Sequence, residues 1–500
     1  RGDGETSLTV ITSGTQEVVG REPLSPLRAT VLGPCRVLPQ EYPLLRCRTI
    51  DVLDPGARSN PELVDQLLAE IASESTEPMV AFRGPYRWVQ CFDPIPPQEG
   101  APGAARLRRG GVYLVTGGLG KVGQALARHL ARTAGARLVL TGRTGLPDRS
   151  GWDEYLAVAL PEDPVAGRIR AVRELEGLGA EVLVVRADAA DAEEMRVAVA
   201  RGRERFGRID GVIHAAGELG PTALRPIAAT DVNDCERQLR PKLGGAEVLD
   251  AVLGDERLDF VLLASSLSSV LGGLGFASYS AGNCALDAWA RGQHQKGKRF
   301  WLSACWDAWR FQPDLGEGDR LAQVAITPDE GGETLGRLLT LSPRAQVLIS
   351  TTGLQERLEQ WTRPANLAGG KDDGSTEEPE RHARPQMSAV YVAPEDPVER
   401  RLVALWGSML GIDRVGVDDS FFELGGSSLL AIHLIGRLKK EYPVDLSVAT
   451  LFEASTVRTL SRVIRSRQGQ DTSLARSAER GQARKGTHKR QRRTSDAAVE

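Results

Sequence analysis

Apolar positions along this chain fall into two repeating patterns. Short runs of β-branched and large apolar residues, bounded by glycine, proline or charge, read as strands. Segments with apolar residues three and four apart read as helices. Over residues 110–360 the two alternate. Strands are predicted at Val112–Thr116, Arg137–Thr141, Glu181–Val185, Gly211–His214, Phe260–Ala264 and Phe300–Cys305, with helical patterns between most of them. Apolar strands joined through helices pair in parallel under a helical cover, so the expected class is α/β, a doubly wound parallel sheet. From about 8 to 95 the pattern is sparser. Strand-like runs occur at Leu8–Thr12, Cys47–Val52 and Met79–Arg83, with one amphipathic helix from Pro61 to Leu68 and no glycine-rich turn. Residues 392–467 carry helical spacing only.

Two breaks separate these stretches, one from Pro94 to Gly103 and one from Pro364 to Ser388, both rich in residues that favour linkers. From Gln468 the chain is polar and locally basic (Lys485, Lys489, Arg490, Arg492, Arg493), a composition that reads as disorder. The expected division is therefore 1–105, a partial α/β half without a site; 106–363, a nucleotide-binding unit; 364–390, a linker; 391–467, a small four-helix domain; and 468–500, a basic tail. A chain of 500 residues exceeds one compact core, which agrees with several domains. A formal net charge of −3 gives no reason to expect a nucleic-acid partner. The six cysteines form no C-x-x-C pair, so neither a metal site nor a disulfide framework is expected, and a reducing cytoplasm is the expected compartment. No apolar segment reads as a signal peptide or a membrane span. The chain starts at Arg1 and reads as part of a longer polypeptide.

Candidate chemistry begins where Val112–Thr116 runs into Gly117-Gly118-Leu119-Gly120-Lys121-Val122-Gly123 and then a helical pattern. A strand, a glycine turn and a helix in that order present backbone N–H groups to a pyrophosphate, and glycine lets the phosphates approach. Thr116, Gly117, Gly118, Leu119, Gly120 and Gly123 are the candidate contacts. The next strand ends Thr141-Gly142-Arg143, and Arg143 suits a 2′-phosphate where an NAD site would offer a carboxylate. NADP(H) is the expected nucleotide. Asp188 follows the third strand, where folds of this kind meet the adenine amino group. Ala215, Ala216 and Gly217 end the fourth with small residues, and His214 before them reads as structural.

Further along lie Lys242, Ser266, Tyr279 and Asn283. A phenol has a pKa near ~10, and a neighbouring ammonium is expected to lower it and stabilise the phenolate. Ser266 can polarise a carbonyl beside Tyr279, and Asn283, one helical turn on, can orient the lysine or a water. Ser265 is sent to the opposite face by strand alternation. Singly, each residue has an ordinary reading as a cap, a packing tyrosine or a solvated lysine. In this order, after the glycine turn, they form a proton-transfer group. In ordinary short-chain dehydrogenases the residue one turn after the tyrosine is lysine and the asparagine lies on an earlier helix; here the two are exchanged. That exchange resembles the ketoreductase domains of polyketide synthases. The resemblance implies that 110–360 is a catalytic half, and that the preceding stretch, with Val37–Pro43, is the end of a structural half that has the fold without the site.

The segment Asp418-Asp419-Ser420-Phe421-Phe422-Glu423-Leu424-Gly425-Gly426-Ser427-Ser428-Leu429-Leu430 is similar to the attachment site of acyl and peptidyl carrier proteins. By that resemblance Ser428 receives 4′-phosphopantetheine from coenzyme A through a phosphopantetheinyl transferase. The implied activity is NADPH-dependent reduction of a carrier-held 3-ketoacyl thioester to the 3-hydroxyacyl thioester, with other polyketide synthase domains as partners. A flexible linker makes such an encounter intramolecular at roughly millimolar effective concentration. Two alternatives remain: a keto group in a mixed peptide–polyketide line, and a non-catalytic scaffold that docks the carrier. For stereochemistry, Glu218-Leu219-Gly220-Pro221 replaces the Leu-Asp-Asp of one class, and Leu271 and Phe276 replace the Trp and Gln of the other. Neither fingerprint applies.

Overall fold

The computed structural model describes residues 6–42, 44–53, 60–73, 75–96, 106–160, 163–218, 225–254, 256–311, 325–362, 383–384, 390–421, 423–424, 428–442, 444, 446, 450–451 and 454–467. The chain divides into two compact units, Arg1–Asn366 and Leu367–Glu500. The tail from Gln468, most of the linker, Leu219-Gly220-Pro221 and Gly425-Gly426-Ser427 lie outside the described residues. Among those described, no helix is long and apolar enough to cross a membrane.

The first unit holds two sheets. β1 (Thr6–Ser13), β2 (Leu45–Val52) and β3 (Met79–Arg83) are parallel neighbours, and β4 (Tyr86–Val89) closes the edge antiparallel to β3. The second sheet is parallel throughout. It comprises β5 (Val112–Thr116), β6 (Arg137–Gly142), β7 (Glu181–Arg186), β8 (Gly211–His214), β9 (Phe260–Ser266), β10 (Trp301–Trp306) and β11 (Gln346–Leu348), in the order β11-β10-β9-β8-β5-β6-β7. Every predicted strand is present. β5 and β8 match the predicted bounds, and β9 continues to Ser266.

Burial explains why these segments became central strands. β5 and β10 are buried along their whole length, so both faces must be apolar. On one face Leu126, Leu130, Ile169 and Leu335 pack over the sheet; on the other Met195, Val199, Leu249 and Leu286 do. Each such side chain contributes about 1.5–3 kcal/mol of burial. The order reverses between β5 and β8, because successive strands leave β5 on opposite sides. That reversal opens a crevice beyond the carboxyl ends, the place where ligands bind in sheets of this type.

Elements that were not predicted include β4, β11, the short helix Pro26–Ala29 and the helix Leu32–Glu41. Pro34 and Pro39 disguise the longer helix. Pro34 sits in the first turn, where an N–H has no intrahelical partner, and Pro39 lies in the last turns, where one lost bond is tolerated.

The second unit is helical. Pro397–Leu410, Ser428–Glu441 and 457–467 are its described helices, and residues 450–451 are also helical. Trp406 and Phe421 meet edge to face at 5.1 Å in a core completed by Leu402, Leu434, Leu438, Leu460 and Ile464. Asp396 caps the first helix by accepting from Glu399 N at 2.9 Å.

Candidate active site and carrier site

The glycine turn lies at the carboxyl end of β5. Gly117 has φ +67°, and a Cβ there would stand 2.6 Å from the Ala215 carbonyl oxygen, so the loops after β5 and β8 meet backbone to backbone. A Cβ on Gly123 would overlap Gly117 O. The helix Lys121–Ala134 starts at Gly120 with no side-chain cap and no acidic residue in its first turn. Its N–H groups and dipole therefore face the crevice as an anion site. The side chains of Thr116 and Leu119 are engaged elsewhere. The Thr116 hydroxyl bonds His214 Nδ1 at 2.6 Å, and Leu119 is buried against Gly142.

Arg143 and Asp188 reach the rim after β6 and β7. Arg143 is 61% exposed and stands 3.6 Å from Glu218. Asp188 accepts from Ala190 N at 2.9 Å and from Arg240 at 2.6 Å. Burial opposes its ionisation, but the Ala190 N–H, Arg240 and the field of Arg143 together hold the carboxyl below its usual range.

Ser266 ends β9, and Tyr279 is the third residue of the helix Ala277–Lys296. The Ser266 and Asn283 side chains lie beside Tyr279 and favour its ionised form. Ser266 Oγ accepts from Ser268 N at 3.1 Å, while Asn283 Nδ2 donates to Ser268 Oγ at 3.2 Å and to Tyr279 O at 3.0 Å. Ser265 is buried on the other side of the strand, as alternation requires.

Lys242 arrives from a turn of π-helix, Arg240–Gly244, that includes Pro241. Its Nζ lies 5.3 Å from the centre of the Tyr279 ring. The stem passes two glycines: a Cβ on Gly282 would stand 3.2 Å from Lys242 Cδ, and one on Gly217 would stand 3.6 Å from Nζ. His214 Nε2 bonds Lys242 O at 3.0 Å. A carbonyl can only accept, so Nε2 carries the proton and Nδ1 accepts from Thr116. Burial pushes the His214 pKa down to about 4, which keeps the ring neutral. His214 thus ties the nucleotide strand to the lysine turn, as its structural reading anticipated.

The electrostatics depart from expectation at one point. Burial raises the Tyr279 pKa, and the neighbouring Ser266 and Asn283 side chains offset this only in part. Burial also lowers Lys242 to about 8, against the opposing field of Asp287 and Cys305. Desolvation outweighs the ammonium, so the resting phenol is protonated and poised to donate.

Asp287 escaped the sequence reading. It is buried one turn beyond Asn283, accepting from Ser303 Oγ at 2.5 Å and from Gln346 Nε2 at 2.9 Å. Its signal was the four-residue spacing from Tyr279 through Asn283 to Asp287.

In the helical unit, Ser428 is the first residue of the helix Ser428–Glu441. Two aspartates before the described start of that helix are held by ion pairs. Asp418 pairs with Arg458 at 2.6 and 3.0 Å, and the buried Asp419 accepts from Gly416 N at 2.7 Å and from Arg384 at 2.5 and 2.8 Å.

Comparison with known proteins finds a family for each of the two regions. The KR domain family matches residues 111–310, and the phosphopantetheine attachment site family matches residues 400–464. Polyketide synthase PksM of Bacillus subtilis is 35% identical over 403 residues, which are 77% of this chain and 9% of that protein. A phenolphthiocerol/phthiocerol polyketide synthase of Mycobacterium tuberculosis is 30% identical over 476 residues, 93% of this chain and 24% of that protein. The chain thus spans less than a quarter of either relative. Among solved structures, an A1-type ketoreductase aligns at 27% identity and TM-score 0.58, covering 72% of this chain and 71% of that one. A-type ketoreductases from a modular polyketide synthase align at 28% identity and TM-score 0.57, with 72% and 71% covered. Residues 111–310 are therefore a KR domain and residues 400–464 a phosphopantetheine attachment domain, an arrangement consistent with the ketoreductase–carrier region of a polyketide synthase.

Proposed function

We infer that this chain reduces a 3-ketoacyl thioester, carried on its own phosphopantetheine domain, to the 3-hydroxyacyl thioester with NADPH. The observation that carries the reading is that buried Lys242, Tyr279 and Asn283 and half-buried Ser266 come together, Lys242 Nζ lying 5.3 Å from the Tyr279 ring centre, in a unit that also holds an uncapped helix N-terminus after its glycine turn. The turn fits a dinucleotide, since Gly117 and Gly123 leave no room for side chains and Gly120 leaves the helix end to an anion. Gly117, Gly118, Gly120 and Gly123 would hold the pyrophosphate, Arg143 the 2′-phosphate, Asp188 the adenine, and Ala215 to Gly217 the space beside the ring. When bound, NADPH supplies the hydride.

The chain's own residues handle the proton. Tyr279 donates it to the carbonyl oxygen, and Ser266 hydrogen-bonds the same oxygen as charge develops there. The phenolate left behind faces the Lys242 ammonium with Ser266 beside it, while Asn283, bonded to Tyr279 O and Ser268 Oγ, braces the turn that carries the tyrosine. Ser428, at a helix N-terminus, suits a phosphodiester link to 4′-phosphopantetheine. A phosphopantetheinyl transferase would install it, and neighbouring synthase domains would supply the acyl chain.

The test is nucleotide oxidation with a 3-ketoacyl N-acetylcysteamine thioester. NADPH should be preferred over NADH, and Arg143→Ala should raise KM for NADPH about tenfold or more, the worth of a charge-assisted bond. Absence of both oxidation and nucleotide binding would overturn the reading.

A further inference from the structure

The half of the first unit that lacks a nucleotide turn sends one helix, Leu32–Glu41, into the framework of the catalytic group. A Cβ on Gly33 would overlap the backbone of Ala281, so this helix meets the Tyr279 helix at backbone contact two residues beyond the tyrosine. Arg36 donates to Ser269 O, and to Cys284 Sγ at 3.2 Å. The helix then ends in two buried polar side chains, each 1% exposed. Gln40 donates to Leu271 O at 2.7 Å and accepts from Gly273 N at 2.8 Å. Glu41 accepts from Gly275 N at 3.0 Å with one oxygen and from Ile227 N at 2.8 Å with the other.

The segment they hold is the connection from Ser266 to Tyr279. It contains three glycines in the left-handed region, Gly272 (φ +73°), Gly273 (φ +141°) and Gly275 (φ +74°), so its backbone has little intrinsic preference for one shape. It delivers Phe276, whose ring meets Tyr279 edge-on at 5.5 Å. Arg225 N donates to Gly275 O at 3.1 Å, so Glu41 and Gly275 together join segment 225–227 to the same loop.

On the reductase reading above, we propose that Glu41, supported by Gln40, is a positioning residue for catalysis: its carboxylate holds the Gly272–Phe276 loop against segment 225–227 and thereby sets Tyr279 and Phe276 around the substrate carbonyl. A permissive glycine loop needs an outside template, and a carboxylate with two backbone N–H partners supplies one. The half without a site then has a task beyond packing.

Glu41→Gln keeps the shape but turns an amide N–H₂ toward one of the two N–H donors. In the intact chain, kcat per NADPH-binding site should fall about 10- to 100-fold, as for a reacting group displaced by about an ångström. KM for NADPH should be unchanged, and the ratio of alcohol enantiomers should shift. Hydrogen exchange at Gly275 and Ile227 should quicken about tenfold, the loss of one buried bond, with β5 unaffected. A role in folding alone would lower Tm while leaving kcat per binding site and the enantiomer ratio as they were; that result overturns the proposal. If Glu41→Gln does not fold, Gln40→Ala carries the same kinetic prediction, with exchange read at Gly273. A wild-type chain without turnover defeats the reductase reading; the clamp is then judged by exchange alone, and unchanged exchange in the variant overturns it.

Discussion

The two sheets of the first unit have like architecture and opposite strand ends. In the seven-stranded sheet the carboxyl ends of β5 and β8 finish in Gly117 and Ala215 to Gly217, which leave a crevice under an uncapped helix. In the four-stranded sheet the corresponding ends are closed by charge. Arg83, the last residue of β3, donates to Glu22 at 2.9 Å, to Asp51 at 2.7 Å and to Gln16 O at 2.8 Å, and all three side chains are buried. Thr15 N and Oγ1 complete Asp51 at 2.9 and 2.7 Å, and Val18 N and Val19 N complete Glu22. A guanidinium whose every direction is answered leaves no donor for a ligand. The lesson is that a parallel sheet offers a place for a nucleotide, and the residues at its strand ends decide whether the place stays open.

The contrast can be broken at several points. Arg83→Met leaves Asp51 and Glu22 buried without their cation and should cost about 3–5 kcal/mol of stability, measured by urea unfolding. Next in size is an acid effect at His214. Its folded pKa of about 4 lies below the ordinary 6.5, so the unfolded chain binds the extra proton. Stability should therefore be lost as pH falls from 6.5 toward 4, by about 3 kcal/mol in all. His214→Gln should flatten that part of the profile. Gly117→Ala puts a Cβ against Ala215 O at positive φ; a strain of about 1–3 kcal/mol should weaken NADPH binding about 10- to 100-fold by fluorescence titration. The last effect is kinetic. Lys242 holds its proton below about 8, so turnover should decline above that pH, and Lys242→Met should remove this limb along with most of the rate.

Much of this was legible in the sequence, for a physical reason. Central strands must be apolar on both faces, and a nucleotide turn must be glycine, so both leave local marks. The exchange of Lys242 and Asn283 was equally plain, because each position is set by its own helix. What stayed hidden depends on distance along the chain. Gln40 meets Leu271 across 231 residues, and Glu41 meets Gly275 across 234. Neither partner is marked by its neighbours. The helix that carries them was missed because two prolines obscure its period, although both fall where a helix can spare an N–H. The raised pKa of Tyr279 also could not be read locally, since burial and not the adjacent ammonium governs it.

The most direct test compares the intact chain with Tyr279→Phe in single-turnover oxidation of NADPH by a 3-ketoacyl thioester, alongside nucleotide binding. The phenol is the only proton donor assigned to the carbonyl, so the variant should bind NADPH as the wild type does while its rate falls about 10²- to 10⁴-fold. A variant that turns over at the wild-type rate would contradict the assignment of Tyr279 as the acid and, with it, the account of this site.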